Sequence, residues 1–284
     1  MAKNYRSELV GVFGCPIDEN PTGVMEEAAF RAKGLDYRYV TMKVEKGNIE
    51  TAISALRALN FRGINLTIPH KVEAVKHVDE LSPEAEIIGA INVIVNTDGH
   101  LVGDNSDGKG FLKSLMDNGV ALEGRTLSIL GAGGAARAIS VECAMHGVRK
   151  IYIINPSEER GRTLAELVGS RTDATAEYRK WEGSVGITPD TDILVNATPV
   201  GLFPDTDRKP DIDYDTVLPS MTVCDVIFND PNTLFLGEAK KRGAKTIRGL
   251  EMLVNQGALN FKMWTGEEAP VDVMIETLKK EFNL

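Results

Sequence analysis

Apolar residues recur along this chain with two periods, near two and near 3.6, and the switching between them lays out the secondary structure. In the first hundred residues, the strand-type runs ELVGVFG, YRYVTMKV and RGINLTI alternate with helical spacing around residues 23 to 33 and from about 48 to 59. That alternation predicts a parallel α/β layer. Between INVIV and LVG, the segment NTDGH at 96 to 100 carries the Asp98-Gly99 pair that suits the two positive-φ positions of a tight hairpin turn. An antiparallel edge is therefore expected to close this unit. A helix with Phe111, Leu112, Leu115 and Met116 follows, and the boundary to a second unit is expected near residues 104 to 110.

In the second unit the apolar runs are short and continuous, as in strands buried on both faces. KIYII at 150 to 154, DILVNAT at 192 to 198 and TVCDVIF at 222 to 228 are three such strands, with helices between them. Residues 170 to 190 are poorly patterned, and ATAEYR is the best strand candidate within them. After KTIRG, the spacing of Leu250, Leu253, Leu259 and Met263 suits a helix, and a last helix follows from about 271 to 281. These C-terminal helices are free to pack back on the first unit.

Bulk properties narrow the partners. At 284 residues the chain is longer than one ordinary domain, and 43% hydrophobic with 26% charged residues is the balance of a globular protein. A net charge of −9 argues against non-specific binding to nucleic acid or acidic membranes, and so points to a small-molecule partner. No apolar segment approaches about 18 residues, and MAKNYRSELV does not read as a signal peptide, so a cytoplasmic protein without a membrane span is expected. Cys15, Cys143 and Cys224 form no CxxC pair, and His70, His77, His100 and His146 are equally scattered. Neither a disulfide framework nor a metal site is predicted.

The segment GAGGAARA, residues 131 to 138, follows the apolar run Leu127, Ile129, Leu130 and opens a helix. A strand that turns sharply into a helix aims unpaired backbone amides, and the positive end of the helix dipole, at one point. A phosphate suits that point. Gly131 permits the turn, Gly133 lets a pyrophosphate approach the backbone, and Ala136 keeps the helix close to the strand, as in dinucleotide folds.

A second group of polar residues lies upstream. In GINLTIPHK, residues 63 to 71, Asn65 and Thr67 occupy alternate strand positions, so both face one side, and Lys71 follows Pro69, which can open a helix. GAINVIV adds Asn92, and GDNSDGKGF adds Asp107 in a Gly-rich turn at the expected boundary.

Taken together, VFGCPI, GINLTIPHK, GAIN, GDNSDGKGF, GAGGAARA, NATPVG and MLVNQGALNF, in this order, resemble the shikimate dehydrogenase family, quinate/shikimate dehydrogenases included. The resemblance implies an α/β fold of two domains. An N-terminal α/β substrate domain, residues 1–107, would be completed by the C-terminal helices of 249–284, around a central Rossmann doubly wound parallel sheet at 108–248. It also implies hydride transfer between a nicotinamide cofactor and a ring hydroxyl or ketone of a shikimate-like compound, with Lys71 and Asp107 as the catalytic pair. Quinate or another cyclic polyol is the alternative substrate, and a non-catalytic ligand-binding sensor the alternative role. Asn20, Thr22, Asn65, Thr67, Asn92 and Gln256 match the substrate positions. Gly131, Ala132, Gly133, Gly134, Ala135, Asn155, Ser157, Glu158, Arg160, Thr198 and Gly249 match the cofactor positions. The expected partner is a small cyclic hydroxy acid or polyol, bound by a monomer or homodimer.

Two departures from the family pattern bear on specificity. Where the family carries two serines that bind the substrate carboxylate, this chain has Asn20 and Thr22, with Glu19 beside them, and Phe228 stands where many relatives have Tyr. Thr22 keeps a hydroxyl and Asn20 an amide donor, but a nearby negative charge opposes a second one. After the second Rossmann strand the chain reads Asn155, Pro156, Ser157 in place of the Asn-Arg-Thr of NADP enzymes, which removes one cation, while Arg160 retains another. Glu158 is read as an acceptor for a ribose 2′-hydroxyl, so NAD is favoured over NADP.

Overall fold

The computed structural model describes residues 5–228 and 232–284, and the chain divides into two compact units, 1–106 with 256–284, and 107–255. The first unit holds β1 (Glu8–Gly14), α1 (Thr22–Lys33), β2 (Tyr37–Lys43), α2 (Ile49–Ala58), β3 (Gly63–Leu66), β4 (Glu80–Leu81), α3 (Pro83–Ile88), β5 (Val93–Thr97) and β6 (His100–Asp104). Its sheet runs β2-β1-β3-β5-β6-β4. Strands β1, β2 and β3 are parallel, whereas β5 runs antiparallel to both β3 and β6, so the layer is mixed rather than purely parallel. The hairpin turn is the one expected, with Asp98 at φ 50° and Gly99 at φ 93°. It does not end the sheet, because the two-residue β4 pairs beyond it with β6. A short edge strand offers few unpaired backbone groups to other chains.

Helix α1 stops where Gly34 takes a left-handed conformation, and its inward face holds Met25, Ala29 and Phe30. Pro69 does not open a helix. A turn separates it from a short 3₁₀ segment at Glu73–His77, so Lys71 lies in the connection. Helix α4 (Ser106–Asp117) and the strands and helices of the second unit intervene before the last two helices of the chain.

In the second unit, α4 is followed by β7 (Thr126–Leu130), α5 (Gly134–Met145), β8 (Lys150–Asn155), α6 (Glu158–Arg171) and β9 (Thr175–Lys180). Next come β10 (Val185–Gly186), β11 (Ile193–Asn196), β12 (Ile212–Asp213), β13 (Thr222–Asp225), α7 (Leu234–Lys241) and β14 (Lys245–Ile247). Six parallel strands are ordered β9-β8-β7-β11-β13-β14, and β10 pairs with β12 apart from them. Counted in chain order this is the 3-2-1-4-5-6 arrangement of the doubly wound dinucleotide fold, whose direction of winding reverses beside β7. The segment ATAEYR does form a strand, β9. Met116, expected on the apolar face of α4, is exposed.

Helix α8 (Gly249–Thr265) is continuous across the division between the units, and α9 (Val271–Glu281) ends the fold. Of the four apolar residues that signal α8, only Leu250 is fully buried; the other buried positions include Val254, Gly257, Phe261 and Trp264. Within the first unit, Phe261 stacks on Phe30 at 5.3 Å between centroids, and the Trp264 indole N–H donates to the Ile94 carbonyl at 3.2 Å. Gly63 makes room for that indole, since a Cβ there would lie 2.2 Å from Trp264 Nε1.

Candidate active site

The glycine loop after β7 has the conformation its sequence requires. Gly131 adopts φ 109°, and a Cβ there would sit 3.0 Å from the Ala197 carbonyl oxygen, so only glycine fits without strain. Gly133 precedes α5 in an extended conformation, with nothing within 4 Å of the Cβ it lacks, while Ala136 is fully buried against the sheet. Open space over Gly133, at the N-terminus of α5, is the cradle a pyrophosphate needs. A cavity of about 590 Å³ extends from it, lined by Gly131, Ala132, Gly133, Asn155, Arg160 and Thr198 among others. The residues present therefore fit a dinucleotide.

Thr198 is held in place by a network the sequence did not announce. Its hydroxyl donates to Asn196 Oδ1 at 2.6 Å, Asn196 Nδ2 donates to Asp225 Oδ1 at 3.0 Å, and the Thr233 hydroxyl donates to Asp225 Oδ2 at 2.7 Å. Gly134 and Ala135 form the first turn of α5, and Ser157 caps α6 by accepting from the Arg160 amide at 3.4 Å. Glu158 has a partner on its own helix. Its carboxylate accepts from Arg162 Nε at 2.7 Å, one helical turn along α6, and it does not line the cavity, whereas Arg160 does. An exposed acid at (i, i+4) from an arginine finds its partner on its own helix. Gly249 also stands outside the cavity lining, buried where a Cβ would meet the Ile227 carbonyl oxygen at 2.3 Å.

In the first unit, three expected substrate residues are joined by hydrogen bonds. Asn65, on β3, accepts from the Tyr39 hydroxyl at 2.9 Å and donates to the Asn92 carbonyl at 3.2 Å. Asn92 Oδ1 accepts from the Ser106 amide at 2.7 Å, and Asn92 Nδ2 donates to Ser106 Oγ at 3.0 Å and Gln256 Oε1 at 3.4 Å. Gln256 in turn accepts from Asn260 Nδ2 at 3.1 Å. Neutral amides and hydroxyls in series can each turn to donate or accept. Thr67 lies one residue past the end of β3, with its methyl group toward Gly14, so it is not on the strand as expected. Asn20 Oδ1 accepts from the Thr22 amide at 3.0 Å and shapes the entry to α1.

Lys71 is half-buried, and its carbonyl accepts from the Ile91 amide at 2.8 Å, which ties it to the segment carrying Asn92. Asp107, the residue after Ser106, lies in the first turn of α4 rather than in a loop, and is 8% exposed. A carboxylate in the first turn is favoured by the helix dipole.

Glu26 is the unexpected residue here. It is fully buried, and neither carboxyl oxygen has a hydrogen-bond partner. Burial pushes its carboxyl well above the usual carboxylate range. The Tyr39 phenol is likewise pushed well up, first by burial and then by the neighbouring Glu26, against a hydrogen bond from Thr22. Sequence reasoning missed Glu26, Tyr39 and Ser106. Tyr39 was legible in the alternation of YRYVTMK, and Glu26 in being an acid within the inward stripe Thr22, Met25, Ala29 and Phe30.

Comparison with known proteins bears on this geometry. Residues 12–94 match the shikimate dehydrogenase substrate binding domain, and residues 249–279 the shikimate 5'-dehydrogenase C-terminal domain. Shikimate dehydrogenase (NADP(+)) of Desulforamulus reducens is 41% identical over 281 residues, covering 98% of this chain and 97% of the relative. The chain belongs to the shikimate dehydrogenase family. It is thus an NAD(P)-dependent dehydrogenase that acts on the hydroxyl of a cyclic alcohol. Two solved structures are similar to this chain along nearly its whole length. One is a shikimate dehydrogenase in complex with NADP+, at 35% identity and TM-score 0.91, covering 98% of this chain and 97% of the other. The other is ligand-free 5-ketofructose reductase of Gluconobacter sp. strain CHM43, at 40% identity and TM-score 0.92, covering 98% of this chain and all of that one.

Proposed function

We propose that this enzyme interconverts a ring ketone and its secondary alcohol on a shikimate-type ring, 3-dehydroshikimate and shikimate being the first pair to test, with NADP(H) preferred. The observation that carries the reading is the continuous set Tyr39, Asn65, Asn92, Ser106 and Gln256 in the unit that also holds Lys71. Several neutral donors and acceptors converging in one place suit a ligand with several hydroxyl groups.

A bound nicotinamide cofactor supplies or accepts the hydride. In the reducing direction the Lys71 ammonium donates a proton to the oxygen on which negative charge develops, and it takes the proton back when the alcohol is oxidised. The Asp107 carboxylate orients the substrate hydroxyl and the ammonium. Asn65, Asn92, Gln256, Thr67, Thr22 and Asn20 bind the remaining substituents. On the cofactor side, Arg160 in the cavity lining meets a 2′-phosphate, and Glu158, paired with Arg162, is turned from opposing it. This reverses the preference for NAD expected from Glu158 in the sequence.

One set of observations favours a second substrate class, a polyhydroxy ketone without a carboxylate. Asn20 and Thr22 replace two serines, the exposed Glu19 precedes them, and Asn20 Oδ1 is engaged by the Thr22 amide. An acidic neighbourhood suits a neutral ligand better than an anionic one. The similarity to 5-ketofructose reductase points the same way. Absorbance at 340 nm with shikimate, quinate, and 5-ketofructose, each against the matching NAD and NADP forms, separates these readings. Turnover of shikimate with NADP supports the first, turnover of 5-ketofructose alone supports the second, and no turnover with any of them refutes both.

A further inference from the structure

The cavity beside the glycine loop has a wall that neither the glycine motif nor the phosphate-binding residues account for. Trp181 follows β9 and lines that cavity together with Pro156 and Arg160. Its backbone amide donates to the Asn155 carbonyl at 3.2 Å, and its indole N–H donates to the Asp211 carbonyl at 2.8 Å. The ring also packs against the core cluster that contains Ile154, Ile187 and Ile212. It is therefore anchored through its main chain, its single polar atom and its apolar contacts. With the N–H engaged, the surface it turns to the cavity is aromatic and apolar, which suits a flat heterocycle and not a phosphate.

Position agrees with chemistry. Gly131 follows the end of β7, Asn155 ends β8, and Trp181 follows the end of β9, three adjacent strands of one parallel sheet. Neighbouring strands lie about 4.8 Å apart, so Trp181 stands roughly 10 Å across the sheet from the glycine loop. A dinucleotide with its pyrophosphate on that loop spans such a distance with its adenosine half. Arg160 is the cation among the described lining residues, and Pro156 offers no charge. We infer that Trp181 is the adenine-stacking residue of this enzyme, so that base recognition rests on an indole and the 2′-phosphate on Arg160. The inference rests on the family's dinucleotide occupying this cavity.

The chain has two tryptophans, Trp181 and Trp264, so Trp264→Phe leaves Trp181 as the only indole reporter. Titrating that variant with adenosine 2′,5′-bisphosphate is expected to change Trp181 emission to a saturating limit. Trp181→Ala should raise the bisphosphate Kd, read by calorimetry, about fivefold or more, since a stacked base contributes that much or more to affinity. Trp181→Phe, which keeps an aromatic face, should remain within about threefold of the parent. Nicotinamide mononucleotide, which lacks adenine, should bind the parent and Trp181→Ala equally. An unchanged bisphosphate Kd in Trp181→Ala, or an equal weakening of both ligands, overturns the assignment. Failure of the wild type to bind either NADP+ or NAD+ overturns the dinucleotide reading itself.

Discussion

Glu26→Gln tests how a buried acid is carried in the first unit. Both carboxyl oxygens of Glu26 are inaccessible and without hydrogen-bond partners, so ionisation would leave a bare charge in the interior. Around it stand Thr22 on its own helix, Tyr39 from β2 and Gly257 from α8, where a Cβ would lie 3.2 Å from Glu26 Oε1. Tyr39 is the titratable one of these, and it is pushed upward, so it remains a neutral phenol. In the unfolded chain Glu26 releases its proton near 4.5, whereas in the fold burial holds the proton on to much higher pH. Between those two points the folded state binds one proton more than the unfolded state, so stability falls as pH rises, by about 1.4 kcal/mol per pH unit. The contribution is fully present below the unfolded value and lost by the time pH passes the folded one. From pH 5.5 to 7.5 this group alone removes about 2.7 kcal/mol from the wild type if its folded value lies above that window, and nothing from the glutamine variant. Urea unfolding at several pH values, followed by Trp264 fluorescence in a Trp181→Phe background so that the first unit is observed, measures it. The variant should gain steadily on its parent as pH rises. A difference that stays constant from pH 5 to 8 would show that Glu26 is ionised in the fold, and the neutral-acid account would be wrong.

Other outcomes follow from the site geometry. Lys71→Ala should lower turnover by roughly 10² to 10⁴ while NADP+ affinity, read by calorimetry, is kept; near-normal turnover would remove Lys71 from the chemistry. Arg160→Ala should reduce kcat/KM for NADPH about tenfold while sparing NADH, and Glu158→Ala should alter their ratio little; a larger shift from Glu158 would mean that its pairing with Arg162 does not persist in solution. Gly249→Ala places a Cβ 2.3 Å from the Ile227 carbonyl oxygen, so it should destabilise the protein by about 1–3 kcal/mol. A thermal midpoint equal to the parent's would contradict that packing.

What the chain determines by itself is what neighbouring residues can encode. Gly131 is legible because only glycine accepts its φ beside the Ala197 carbonyl, and Asp98-Gly99 is legible because a hairpin turn of that hand needs two tolerant positions. Strands β7, β8, β11 and β13 announce themselves as short continuous apolar runs, since both faces of a doubly wound sheet are covered. Side-chain partners across the fold are another matter. That Glu158 takes Arg162 instead of facing a ribose, that β4 adds beyond the hairpin, and that α8 buries Gly257, Phe261 and Trp264 depend on which surfaces the fold presses together. The bonds from Tyr39 to Asn65 and from Asn92 to Gln256 join residues 26 and 164 positions apart. Turn propensity and hydrophobic period act over a few residues and so survive in the linear pattern; a hydrogen bond between distant segments exists only once packing has excluded water and left each polar group to find a partner.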